Sequence, residues 1–376
     1  MKEKELEYYY PYRADKIHNY RTLQNRINSE NYYDSEEDPF YAFIDRISNG
    51  VDEVGGYYSN DFSNWSLWNR LGRNIFSFSS DLLFMLEKTD VNNISYDMFS
   101  LPYDNFYLSV RGLDLHEDSE LKNSIDGVYV HLERSEMQVI PKSQRDPDMD
   151  DEYYDPEYKL LIYFHFAGDF DETVKVKHTD LVFNEDILMS WSYALSFPAD
   201  EDYITVGDAI QQEIKKFERQ LLINFPTNVE KQRRLFDYYK SFVTKTVRVL
   251  VNSLLYLSQP REKLPVTTDY PDNLPHNFNR KFNFAKTSNE KIKIAKKISE
   301  TGFSKIFFFG NNEHNNKNEQ TEYQRKSMHW RRGHWRKQPY SDSLQKNRMI
   351  WIRPVLVNKA DDDTLPKGHV YDVRNN

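Results

Sequence analysis

Gly127-Val128-Tyr129-Val130-His131-Leu132-Glu133 is the stretch on which the fold turns. Val128, Val130 and Leu132 alternate with Tyr129 and His131, the period of a strand with one buried face. Residues 106–110 and 160–166 are two more short β-rich runs bounded by Gly, Pro and Asp. Together the three runs predict an antiparallel sheet within 100–190. Residues 146–157 carry seven acids in twelve positions and no base, which reads as a solvated loop. His131 and His165 lie in the predicted strands. Each suits either an acid/base pair with Glu133 or Asp169 or the hydrogen-bonded role common to sheet histidines.

Helical patterns flank this run of strands. On the N-terminal side, Ile17, Tyr20, Leu23 and Ile27 predict an amphipathic helix over 15–28. Pro39 opens a short helix with Phe40, Phe43, Ile44 and Ile47 on one side and Gly50 at its end. Gly55-Gly56 reads as a turn, Trp65, Trp68 and Leu71 as the face of another helix, and Ser80 as the cap of a helix through Leu82, Leu83 and Leu86. On the C-terminal side, Asp208 is placed to cap a helix with Ile210, Ile214, Phe217 and Leu221 in register. After Pro226 a long helix runs from 228 to about 257, spanning about 45 Å, with Phe236, Val243, Val247, Leu250 and Leu254 as its stripe. Residues 258–289 read as irregular, 290–300 as a short basic helix ending at Gly302, and 306–309 as a strand. Strands in one run between helices give an α+β fold: a central antiparallel sheet with flanking helices, a long helix in the second half and a small basic C-terminal module. The expected divisions are an acidic α+β body at 1–203, a helical region at 204–310, a flexible tether at 311–326 and a basic aromatic module at 327–376.

The 376 residues are enough to bury a full core, and 27 Tyr and 24 Phe supply much of the apolar area. The chain has no cysteine, which excludes disulfides and thiolate metal sites. No run approaches the ~18 apolar residues of a membrane span, and residues 1–12 lack the apolar core of a signal peptide. A cytoplasmic protein without membrane contact is expected. No phosphate loop, dinucleotide glycine signature, serine elbow or His-Glu-x-x-His motif is present, so no cofactor is predicted.

The net charge of −9 is unevenly divided. Residues 1–207 hold 18 Lys/Arg against 41 Asp/Glu, a balance of −23, and residues 208–376 hold 32 against 18, a balance of +14. The basic half suits either an external polyanion or the acidic half of its own chain, and the acidic half suits a basic protein partner.

The densest basic segment contains a near-repeat, His329-Trp330-Arg331-Arg332-Gly333 followed by His334-Trp335-Arg336-Lys337-Gln338. Residues 323–353 hold nine Lys/Arg, one acid (Asp342) and three of six tryptophans. Cations among flat rings suit nucleic acid, RNA before DNA. In that reading Arg331, Arg332, Arg336 and Lys337 hold phosphates, while Trp330 or Trp335 stacks on a base. A second reading is a metal-independent endoribonuclease of toxin type. There His329 and His334 exchange protons, Arg336 stabilises the phosphate and Tyr340 serves as an alternative acid. A third is a protein-interaction or inhibitor module using the acidic half. Five residues apart, His329 and His334 share neither a helical nor a strand face, so no metal site is predicted. The structural alternative packs Trp330, Trp335 and Trp351 into a small core with the cations as its solvated rim, and Trp351, within 349–352, reads as core rather than ligand contact.

The run 327–338 with Ile350-Trp351-Ile352-Arg353-Pro354 resembles a tail in uncharacterised bacterial and mobile-element proteins. Leu101-Pro102-Tyr103 with Phe106-Tyr107-Leu108, the run 127–133, and Asn252-Ser253-Leu254-Leu255-Tyr256-Leu257 are similar to the same group. The resemblance implies a phage, plasmid or defence setting and assigns no catalytic residue.

Overall fold

The computed structural model describes residues 5–29, 52–111, 113, 124–134, 158–169, 192–198, 204–259, 264, 266–310, 329–331, 333–340, 346–353 and 355–357. The helix expected after Pro39, the acidic loop at 146–157 and the tether at 311–326 lie outside the described residues, as do Asp361, Asp362, Asp363 and His369.

At the N-terminus the single helix expected over 15–28 is two: α1 (Tyr10–His18) and α2 (Tyr20–Ser29). Asn19 separates them with φ 56°, a left-handed conformation that asparagine tolerates. Helix α3 (Asp52–Arg70) runs through Gly55-Gly56, so the expected turn is helix. Tyr58, Phe62, Trp65 and Trp68 bury one face of α3, and that packing outweighs the weak helix propensity of two glycines. Strand β1 (Ile75–Phe78), too short to declare itself, precedes α4 (Ser80–Glu87). The cap of α4 is Ser79, one residue before the expected Ser80, and its hydroxyl accepts from the Leu82 amide.

The three anticipated strands are β3 (Asn105–Ser109), β4 (Ser124–Arg134) and β5 (Tyr158–Asp169), following the two-residue β2 (Thr89–Asp90). With β6 (Ser192–Pro198) they make an antiparallel block in the order β6-β5-β4-β3. The block then continues in parallel. Strand β3 pairs with β1, and β1 pairs in parallel with β8 (Ile306–Phe309). The exposed edge strand β7 (Val266–Asp269) closes the order, antiparallel to β8. The α+β class holds; the sheet is mixed, with seven strands. Its members extend from residue 75 to residue 309 because β1 and β8 each lie beside a helix that returns the chain to the same sheet.

Both faces of the sheet centre are covered, whereas the alternation in β4 suggested one. Tyr129 is as buried as Val128 and Val130. On the first face stand Tyr107, Tyr129 and His165, adjacent by register. They lie under α3, with Trp68 and Tyr129 ring centroids 6.4 Å apart. Gly127 is required there, since a Cβ would come within 2.3 Å of the Tyr107 hydroxyl.

The second face meets α5 (Val206–Asn224) and α6 (Val229–Leu257). The cap of α5 is Thr205, and the expected Asp208 sits three residues on, completing a reciprocal capping box. Ile210, Ile214, Phe217 and Leu221 are buried as expected. Helix α6, 29 residues and about 44 Å long, is the expected spine, with Val243, Val247, Leu250 and Leu254 in the core. Residues 258–289, read as irregular, contain β7 and α7 (Phe278–Phe284); α8 (Ser288–Glu300) follows. The expected short basic helix is α8, and Gly302 (φ 93°) lies just beyond it.

Asn252 of α6, fully buried, ties three elements together. Its amide donates to the carbonyls of Leu86 (2.8 Å) and Thr89 (2.9 Å), and its Oδ1 accepts from the Trp335 indole N–H at 2.7 Å. Replacing it with Leu strands all three partners. Asn252→Leu should lower unfolding free energy by about 3 kcal/mol, read from denaturant titration.

Candidate interaction surface

Two short sheets carry the basic tail. Strand β9 (His329–Arg331) pairs with β12 (Val355–Val357), and β10 (Gly333–Tyr340) pairs with β11 (Lys346–Ile352) and, in parallel, with β2. Strand alternation sorts the side chains of β10. Trp335 turns inward, while His334 and Arg336 turn to solvent on the other face. Lys337 follows the Trp335 side of the strand but stands past the edge of the core, exposed.

Trp335 corrects the expectation of a base-stacking residue. It is 8% exposed, lies 6.3 Å from Trp351 with near-parallel rings, and commits its N–H to Asn252. A base cannot reach it. Trp351 is core as expected; its N–H donates to the Thr89 hydroxyl at 3.0 Å and its ring meets Tyr256 edge-on at 5.6 Å. The tryptophans therefore fasten the ribbon to α6 and β2; among the described side chains Arg336 and Lys337 are its exposed cations, with Arg353 exposed beyond β11. His329 and His334 fall in separate sheets. The side chains of His329, Trp330, Arg331 and Tyr340, and all of Arg332, lie outside the described residues.

A second cluster joins the N-terminal helices to the sheet. Asp61 of α3 is completely buried and accepts from the hydroxyls of Tyr10 (3.0 Å) and Tyr20 (2.7 Å). His165 reaches it with Nε2 at 3.7 Å, and His165 Nδ1 lies 3.0 Å from the Ser192 hydroxyl. The expected partner of His165 was Asp169, and the observed one is Asp61, because α3 covers that face of β5. His131 does approach Glu133, at 3.3 Å. Asp126, also buried, takes Arg13 and Arg111. Burial pushes the neighbouring Tyr107 hydroxyl well above its ordinary pKa, and the Asp126 charge adds to the rise. These sealed groups can fix helices to strands; Asp61 and His165 meet no solvent-borne substrate. Among the described residues no group of three or more His, Asp or Glu could hold a metal ion. Nor is any described helix long and apolar enough to cross a membrane.

The sequence reading gave no role to the cations of α7 and α8. Their signal was charge density, eight Lys/Arg against two acids over 278–305, and the expectation of irregular chain before 290 concealed it.

A family model described as AcrVA2-like, the anti-CRISPR type V subtype A2 family, matches residues 76–359, about three quarters of the chain. One solved structure, the crystal structure of AcrVA2, aligns with 92% of this chain and 95% of its own at 14% identity and a TM-score of 0.36. No curated protein matches.

Because Trp335 is structural and Arg336 is not, their substitutions should separate. Trp335→Ala is expected to cost about 3–5 kcal/mol in chemical denaturation, and Arg336→Ala less than about 0.5 kcal/mol.

Proposed function

Because this chain belongs to the anti-CRISPR type V subtype A2 family, we propose that it inhibits a type V CRISPR system by binding one of that system's proteins. The match over 76–359 carries the reading. Charge supports it. The first 207 residues have a balance of −23, and CRISPR effectors of the kind that hold a guide–target duplex in a positively charged channel present complementary surfaces. The acidic half is the docking surface in this reading, and the basic half steadies the chain that carries it.

The phage and defence setting implied by the tail resemblance agrees with the family. The order of partners does not follow the first expectation. A protein partner now comes before RNA: of the two rings expected to stack, Trp335 is buried, and the family match favours an inhibitor. The exposed pair Arg336 and Lys337 keeps an accessory electrostatic role. The inhibitor acts in the cytoplasm, where an effector and its guide assemble.

Expression of the full chain in cells with an active type V system should let a targeted plasmid establish at a rate near that of an untargeted one, scored by transformant counts. Affinity purification should retain a protein of the system, less as salt is raised, because screening shortens from about 10 Å at 0.1 M to about 3 Å at 1 M. Undiminished interference in cells shown to contain the folded chain rejects the proposal.

A further inference from the structure

Helices α7 and α8, with the chain up to β8, carry a dense group of exposed cations. Residues 278–305 contain Arg280, Lys281, Lys286, Lys291, Lys293, Lys296, Lys297 and Lys305, all exposed. The only acids in that span are Glu290, spent on the Thr287 cap of α8, and Glu300. Among the described residues only Lys296 of the eight cations has a carboxylate within ion-pair range, Glu300 at 3.9 Å. The other seven keep uncompensated charge.

Three of those cations converge on one aromatic cluster. The rings of Tyr270 and Phe282 meet edge-on at 5.1 Å. The Lys305 ammonium lies 5.5 Å from the first and 5.7 Å from the second. Lys291 stands 5.9 Å from Phe282, and Lys281 stands 5.6 Å from Phe278 in the same small core. Packed stems hold these ammonium groups over rings, which attract cations without cancelling their charge. On α7, Phe284, three residues on from Lys281, is 76% exposed, with the Arg280 guanidinium 6.0 Å from its ring, and Ile292 of α8 is 65% exposed.

We propose that the α7–α8 hairpin and Lys305 form a docking surface for single-stranded nucleic acid. Lys281, Lys291 and Lys305 hold consecutive backbone phosphates, and Phe284, backed by Arg280, offers a face to an unpaired base. A purely acidic segment would satisfy the lysines but has no flat or apolar group to set on that ring. A duplex keeps its bases stacked inside and leaves the ring unused as well. The surface is separate from the β10–β11 ribbon and does not depend on the inhibitor reading.

The test is fluorescence anisotropy of the full chain with a labelled oligouridylate of about 20 nucleotides across a salt series. Single-strand binding should weaken with salt. In the triple variant Lys281→Gln, Lys291→Gln, Lys305→Gln, the log–log slope should fall by about 2, at about 0.7 for each phosphate no longer neutralised. Phe284→Ala should weaken binding about tenfold. An unchanged circular dichroism melt shows that each variant is folded. Retained affinity in the folded triple variant overturns the proposal. So does a loss that follows Arg336→Gln with Lys337→Gln instead, equal displacement of the RNA by polyglutamate of the same charge, or equal binding of the matched duplex.

Discussion

A single buried amide joins the β10–β11 ribbon to α6, the end of α4 and β2. Asn252 lies in the apolar core of α6, where an unsatisfied side-chain amide would be costly. It satisfies two carbonyls left at the end of α4 and in β2, and one indole N–H from β10. The Thr89 hydroxyl extends the chain of bonds, accepting from Trp351 and donating to the Met85 carbonyl. The α4–β2 junction, α6 and β10 come from distant stretches of sequence, yet each completes the others' hydrogen bonding. Apolar contacts around Tyr256, Phe309 and Trp351 supply the bulk of the cohesion; the amide fixes one arrangement among the many that such a core could adopt.

Asp61 does the corresponding work at the other end of the chain. Two tyrosine hydroxyls and a histidine meet a carboxylate shut off from water, and the helices that carry them are thereby set on the sheet. Arg13 and Arg111 on Asp126 repeat the device at the β4 irregularity. The acidic character of the N-terminal half thus has two parts. A few carboxylates are internal fasteners, while Glu133 and Asp104 face solvent and shape an external field.

Local pattern made α5, α6, α8 and the runs that became β3, β4, β5 and β8 readable, because apolar period and turn residues agree there. Asp208 and Ser80 were read as caps at the right helices but one to three residues off, since Thr205 and Ser79 offer hydroxyls just upstream. What escaped were features set by distant partners. Gly55-Gly56 is helical because aromatic residues later in α3 are buried. Trp335 is interior because Asn252, 83 residues away in sequence, needs its N–H. In a linear string, a tryptophan among arginines looks like a binding platform; in the strand, alternation sends the ring inward and the guanidinium out. His165 and Asp61 are separated by 104 positions, a pairing that no local spacing encodes. The anti-CRISPR family match agrees with the defence setting that the resemblance implied and that side-chain chemistry did not reach.

The two-residue strand β2 has a temporal consequence. It is synthesised well before its partner β10 and the indole that rests on Thr89. Until residue 351 emerges, Asn252 and the end of α6 must keep an apolar seam open to water or to a chaperone. A stop before the ribbon would therefore release a body whose seam cannot close.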